Sequence, residues 1–335
     1  MKTGYAIPYV SVSICLIALA LLAGCEPVAY KITPVPVDKS LEEEVLIDEG
    51  GWSPAKIVLV DVDGMLFNHT KPSLFAEGEN PVSLFVEKLD KAAKDSQAQA
   101  LLLRINSPGG SVTASDLMHS EVMHFKRRTG GQRPVVAVLM DVAASGGYYV
   151  ACAADEIVAS PTTVTGSVGV LMQMINFSGT MSRIGISADA ITSGPMKDAG
   201  SPLREMKPEE REIFQNLVNE FYDRFVQVVA TGRPNLDEKQ VRDIADGRVW
   251  SAPQALELGI IDRIGTLRDA LVDLKSKIGA NRVRVVTYKR PLGWKPNIYA
   301  QHPTGPTQFN MINLDLRADW MHPQPQFLYL WDPRP

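Results

Sequence analysis

The chain has 335 residues, 45% of them hydrophobic and 21% charged, enough for one large domain or two small ones with a real core. A formal net charge of −4, with no basic run, excludes nucleic acid as a partner, because phosphate binding wants a basic surface. Three cysteines, two of them within the first 25 residues, exclude a framework of internal disulfides.

The first residues read as an export signal. Lys2 precedes an apolar stretch, Val10 to Ala23, that ends in Leu22-Ala23-Gly24-Cys25. A positive start, an apolar middle and small residues before a cut are the marks of such a segment. Its last four residues resemble a bacterial lipobox, which implies cleavage before Cys25 and a lipid on its sulfur. The alternative is an uncleaved signal anchor, since residues 6–24 are nearly long enough to cross a bilayer. Either reading tethers the chain to a membrane with its bulk on the periplasmic side. Residues 26–55, with prolines and the acidic run Glu42–Glu44, read as a tether.

The domain is expected over residues 56–290. Ile57–Val60 is a short β-rich run that Asp63-Gly64 ends. Pro81 to Lys94 is helical, with Val82, Phe85, Val86 and Leu89 on one face. Ala100–Ile105 is a buried-type strand. It runs into Asn106-Ser107-Pro108-Gly109-Gly110-Ser111, predicted to be a turn, neither strand nor helix. Thr113 to Arg127 is a helix and Pro134–Met140 a strand. After Val142-Ala143-Ala144-Ser145-Gly146-Gly147-Tyr148-Tyr149, a short helix should run to Ala154. Cys152, in that apolar run, reads as a buried structural thiol.

Strands are predicted at Glu156–Ser160, Ser167–Met172 and Ser187–Thr192, with a helix at Ser178–Ile184. The longest helix is Pro208 to Thr231. Ile213, Leu217, Phe221 and Phe225 stripe it at spacing four, and either a buried core position or a subunit contact explains so wide a face. Asp237–Ala245, Ala252–Gly259 and Thr266–Ile278 are shorter helices, and Arg282–Tyr288 is a strand. This alternation argues for a mostly parallel sheet with flanking helices. Residues 291–335, rich in proline and aromatics, read as an extended arm. Its run Phe327–Trp331 either adds as a strand to an edge, lies on a neighbouring subunit, or frays.

Acyl transfer needs a nucleophile, a base and donors for an oxyanion. Ser145 follows a strand by a short turn and precedes two glycines, so it is a nucleophile or, more plainly, a helix N-cap. Gly146 and Gly110 offer backbone N–H groups that no side chain obstructs, though a tight turn alone explains the second word. Lys197, in Met196-Lys197-Asp198-Ala199-Gly200-Ser201-Pro202, is a base if it is neutral and Asp198 turns away, and a solvated charge otherwise. Thr165 and Ser167 are candidates to aim it. A histidine base fits poorly: His69, His302 and His322 fall in loop or arm, and His119 and His124 do not share a helical face. No cofactor or metal site is expected, for there is no His-Glu-x-x-His, cysteine pair or phosphate loop.

Together the words 106–111, 144–149, 165–170 and 197–202 resemble peptidase family S49, in the same order along residues 56–290. The resemblance implies an α/β fold of the ClpP/crotonase class, a spiral of β-β-α units. It implies Ser145 as nucleophile, Lys197 as base, Ser167 orienting the lysine, and Gly110 and Gly146 at the oxyanion. It also implies rings whose sites are shared between neighbouring copies, acting on peptides such as released signal peptides. Pro195-Met196 departs from the family's usual residues before the lysine. The sequence leaves two rival readings, a crotonase-type acyl-thioester enzyme and a non-catalytic scaffold lipoprotein.

Overall fold

The structure is a computed structural model that describes residues 40–69, 79–289 and 326–331. The export signal, Cys25, most of the tether and most of the arm lie outside the described residues. Twelve strands and eight helices are described. They are β1 (Glu42–Asp48), β2 (Ala55–Asp63), α1 (Pro81–Lys94), β3 (Ala98–Ser107), β4 (Gly109–Ser111), α2 (Val112–Arg128), β5 (Val135–Ala144) and α3 (Gly146–Ala151). Then come β6 (Glu156–Ala159), β7 (Val164–Gly166), β8 (Leu171–Gln173), α4 (Ser178–Arg183), α5 (Pro208–Gly232), α6 (Glu238–Ile244), β9 (Val249–Ser251) and α7 (Ala252–Glu257). Last are β10 (Arg263–Ile264), α8 (Leu267–Lys277), β11 (Val283–Lys289) and β12 (Gln326–Leu330).

The main sheet runs β1-β11-β2-β3-β5-β6-β10, and every pair is parallel except β1 with β11. It forks at β5. Val136–Leu139 pair with β6, while Val142–Ala144 pair with β7, which β9 flanks antiparallel. This is the mixed α/β architecture of the ClpP/crotonase-like spiral. The central strands are apolar on both faces because both are covered. Val58, Val60, Leu101 and Leu103 face a core shared with α1, α2, α3 and the end of α5; Ile57, Leu59, Ala100 and Leu102 face the side where Ala270, Leu271 and Leu274 of α8 pack.

Four expectations change. The tether does not reach residue 55, because Glu42–Asp48 is an edge strand on β11, so the domain begins before Lys56. The glycine turn is partly a strand, since Gly109–Ser111 finds a partner in β12. The strand expected at 167–172 is displaced: β7 ends at Gly166, Ser167 has φ +52°, and only Leu171 and Met172 belong to a strand, β8. Residues 187–192 are exposed and irregular, with no neighbouring edge to make them a strand. The stripe on α5 is buried at Phe225, half-buried at Leu217 and Phe221, and exposed at Ile213. Among the described residues no helix is long and apolar enough to cross a membrane.

An ion cluster around buried Lys56 ties β1 to the sheet. Lys56 Nζ, nearly inaccessible, lies 2.8 Å from both Glu43 and Asp95, the residue that caps α1. Burial works to raise the Asp95 carboxyl, but hydrogen bonds from Lys56 and the Gln97 N–H hold it below its ordinary 3.8. Burial works to lower Lys56, but Asp95 and Glu43 outweigh it and hold it above 10.5. The Asp95 contribution is therefore full above about pH 4 and lost as pH falls through the depressed value. The Lys56 contribution is full below about pH 10 and lost above it. Asp95→Asn should cost about 1–3 kcal/mol at pH 7 and flatten the acid side of the stability profile, read by urea titrations from pH 3 to 8.

Candidate active site

The word 106–111 builds one wall of the site. Asn106 Oδ1 accepts the Val142 N–H at 3.2 Å, where the pairing of β3 with β5 slips. Ser107 is fully buried; its hydroxyl donates to the Gly64 carbonyl at 2.6 Å and accepts the Gly109 N–H at 3.1 Å. Gly109 has φ +102°, a conformation that side chains rarely tolerate. A Cβ on Gly110 would lie 2.0 Å from the Leu66 carbonyl oxygen, which accepts the Ser111 N–H. Ser111 caps α2 by accepting the Ala114 N–H at 3.3 Å.

The word 142–149 builds the other wall. Ser145 sits at the sharp corner between β5 and α3 with φ +52° and ψ −118°. Such backbone is costly for a residue with a side chain and persists only where its surroundings enforce it. Here the Ser145 N–H donates to the Gly166 carbonyl at 2.7 Å, and the Ser145 carbonyl accepts the Tyr149 N–H at 2.8 Å. Its side chain makes no cap hydrogen bond, so the plain N-cap reading fails. The Oγ is buried and without a hydrogen-bond partner. A buried hydroxyl left unpaired costs about 1–3 kcal/mol, a cost that structural serines avoid.

Gly146 faces the first wall. A Cβ there would lie 2.3 Å from Ser115 Oγ and 3.1 Å from Gly109 Cα, so the two walls approach backbone to backbone. The N–H groups that open α3 point away from its own ladder. Gly147 packs as tightly on the Ser107 carbonyl, where a Cβ would lie 2.5 Å away.

Ser167 is buried beside this corner, its N–H held by the Arg248 carbonyl at 2.8 Å. Thr165 is tied elsewhere, its hydroxyl donating to the Ala143 carbonyl at 2.6 Å. Ser167 lines an open cavity of about 330 Å³ together with Gly169, Leu171, Val218 and Leu330.

Lys197 is not brought to Ser145 within one chain. It is exposed, in a segment where no residue from Leu171 to Ala199 is buried. Asp198 does turn away from it. Its carboxylate pairs with Arg204 at 2.7 and 2.8 Å, and Arg204 also holds Glu210 at the start of α5. These hydrogen bonds from Arg204 hold both carboxyls below their ordinary values. His119 is no base either: burial pushes it down to about 4, and its ring packs edge-on against Tyr149 at 5.3 Å. Burial drives the Cys152 thiol up to about 12, an inert thiol as its setting suggests.

Of the readings open for Phe327–Trp331, the structure takes the edge strand, β12. It lies antiparallel between β4 and β8, with Tyr329 opposite Gly110. The Tyr329 carbonyl oxygen wedges between the walls, 2.0 Å from where a Gly109 Cβ would stand and 3.1 Å from where a Gly146 Cβ would stand. The alternation of Phe327, Leu328, Tyr329 and Leu330 carried a strand signal, but nothing local named its partner.

Comparison with known proteins shows the family of the chain. A model of peptidase family S49 matches residues 127–281, which contain Ser145, Ser167 and Lys197. A protein of Enterococcus faecium, provisionally named signal peptide peptidase SppA, is 36% identical over 249 residues, 74% of this chain and 71% of its own length. Protease 4 of Haemophilus influenzae is 34% identical over 65% of this chain, which spans 34% of that protein. The chloroplastic serine protease SPPA of Arabidopsis thaliana is 35% identical over 64% of this chain and 31% of its own length.

Gly110→Ala tests the wall. Its methyl would push on Leu66 and displace the turn, so kcat on any cleaved peptide should fall at least about 100-fold, the usual loss for an oxyanion donor. The melting temperature should fall by only several degrees, since the rest of the core is untouched; steady-state kinetics and a thermal melt read the two effects.

Proposed function

The chain belongs to peptidase family S49 and is a serine protease, and on that premise we propose that Ser145 and Lys197 form its catalytic dyad across neighbouring copies of the chain. The observation that carries this reading is the Ser145 hydroxyl. It is buried, unpartnered and held in strained backbone between two glycine walls, a nucleophile lacking only its base.

The chemistry follows from these groups. Uncharged Lys197 Nζ takes the Ser145 proton as Oγ attacks a peptide carbonyl carbon. The oxygen becomes an oxyanion, and the Gly110 and Gly146 N–H groups stabilise it. The tetrahedral adduct collapses, the amine leaves with the proton from Lys197, and an ester to Ser145 remains. Water, deprotonated by the same amine, then hydrolyses the ester and frees the serine.

Lys197 comes from an adjoining copy in this reading. Its segment exposes Ile175, Phe177, Ile184, Ile186 and Ile191, apolar surface that association would cover. The open cavity beside Ser167 gives an incoming lysine a place to enter, with the Ser167 hydroxyl to aim it. Arg204 keeps Asp198 from neutralising that lysine's use as a base. A ring built this way excludes folded proteins and admits extended chains.

The proposed substrates are apolar peptides such as released signal peptides, in line with the printed name of the Enterococcus relative. Membrane attachment through Cys25 or an uncleaved anchor, with the domain on the periplasmic side, rests on the leader sequence. The thioester and scaffold readings do not survive membership of a peptidase family.

Complementation tests the shared site. Ser145→Ala and Lys197→Ala should each abolish peptide cleavage and labelling by a serine-directed phosphonate. Co-assembled, the two inactive chains should recover about a quarter of wild-type activity, because a random ring pairs an intact serine with an intact neighbouring lysine that often. No recovery in a mixed ring of confirmed assembly would place the dyad within one chain or remove Lys197 from it.

A further inference from the structure

Ser145 stands at one end of the main sheet, and the other end carries none of the site. Strands β11, β2, β3 and β5 start there in register, with Val283 beside Ala55, Lys56 beside Ala98 and Leu101 beside Val135. From that end β5 runs ten residues to Ala144, so about 30 Å separates it from Ser145. The β1–β2 loop, the turn after α8 and the ends of α1 and α2 meet there, because each leads into one of these strands. Segments 48–56, 94–99, 126–135, 155–156 and 275–284 carry ten lysines and arginines against five carboxylates, in a chain whose formal net charge is −4.

All five carboxylates are paired within the domain, as Glu49 is with Lys275 and Asp155 with Lys126. Lys94, Arg127 and Arg282 are exposed and, among the described residues, pair with no carboxylate. Cations in a last turn also answer the helix's own dipole, which accounts for Lys94 and Arg127. It accounts for neither Arg282 nor Trp52. Trp52 is wholly exposed in the β1–β2 loop. The loop is fixed: Asp48 Oδ1 accepts the Gly50 N–H at 2.8 Å, Gly51 has φ +104°, and Arg282 Cδ lies 3.0 Å from where a Gly51 Cβ would stand. A large apolar ring is thus held in water beside a guanidinium, against the usual preference for burying it.

The chain also enters the domain near this end. Leu41 is buried, and its carbonyl accepts a hydrogen bond from Lys91 Nζ in the last turn of α1. Fourteen residues, 26–39, separate Cys25 from Ser40, a reach of at most about 50 Å. Resting on the leader reading, in which residues 1–25 hold the chain on a membrane, we propose that this end of the sheet is the face that lies on an anionic lipid surface. Trp52 enters the headgroup region, which suits both the apolar body of an indole and its N–H. Lys94, Arg127 and Arg282 meet anionic headgroups, each strengthening the contact about 5-fold at low salt. A lone indole among unpaired cations fits headgroups and not a protein partner, because it lacks the apolar area of a protein interface core. Ser145, at the opposite end, is then held clear of the bilayer.

The test places the full-length chain in vesicles of phosphatidylcholine, with or without phosphatidylglycerol, whose acyl chains carry bromine near the headgroup to quench adjacent indoles. The chain has five tryptophans, so Trp52 supplies about a fifth of the emission. In anionic vesicles the wild type should lose up to that fifth more than Trp52→Phe does. The difference should shrink at least about 5-fold in neutral vesicles, in about 0.5 M salt, and in the triple variant Lys94→Gln, Arg127→Gln, Arg282→Gln. All four side chains are exposed and far from Ser145, so the melting temperature and the cleavage of a soluble peptide should stay at wild-type values. Vesicle flotation separates the failures. Chains that float but quench alike with and without Trp52 overturn the docking face and leave the anchor standing, and so does quenching indifferent to lipid charge and salt. Chains that do not float remove the anchor and the face with it. A Trp52→Phe chain that forms a smaller assembly than the wild type in detergent makes this end an interface between copies, which also overturns the inference.

Discussion

Three stretches of backbone meet at a separation that only glycine permits. Positions 109 and 110 are pressed against Leu66 on one side and Tyr329 on the other, and Gly146 is pressed against Gly109 and Ser115. A side chain at 109 or 110 would have to displace backbone, and one at 146 would collide with Ser115 Oγ. The approach fixes the strained corner at Ser145, because β5 enters it locked to β3 and β7 while α3 leaves it packed on Ser107. Strain at Ser145 is thus a consequence of packing distributed over four elements. The same approach brings the backbone at Gly110 and Gly146, the proposed oxyanion donors, to the two walls that flank Ser145.

The serine and the lysine live in opposite environments, and that contrast shapes the chemistry. Ser145 is sealed in a rigid, fully packed layer, whereas Lys197 rides on an exposed segment anchored mainly by the Arg204 cluster. A hydroxyl buried alone is poised but inert, and an exposed lysine is a poor base. In the proposed shared site both handicaps go together, because the meeting that delivers the base also strips its water.

Much of this was legible in the sequence, and for a physical reason. The four words are dense in glycine and small polar residues, and each marks a place where backbone does the work. Asn106, Ser107 and Ser111 each hold a specific backbone group, so the word around them could be read as more than a turn. Helices with clear caps, such as α1 behind Asn80 and Pro81, appeared with their boundaries intact. What failed were short strands whose only reason to exist is a distant edge. Gly109–Ser111 has no strand pattern of its own and becomes one because residues 328–330 lie beside it. The apolar run 187–192 has the pattern but meets no edge, and stays irregular. Glu42–Asp48 looked like tether because it is charged and exposed; its partner β11 lies at the far end of the domain.

Helix α5 joins these observations. At its start Glu210, wholly buried, grips Arg204, which grips Asp198 beside the lysine. Fifteen residues later Phe225 lines the pocket of Tyr329, about 22 Å along the axis at 1.5 Å per residue. One rigid rod therefore holds the root of the lysine segment and the aromatic pocket at opposite ends. Through this one helix the exposed segment that carries Lys197 and the packed layer around Ser145 are held apart, and the stripe between the two ends, Ile213 to Val218, is surface that the chain's own core leaves partly uncovered.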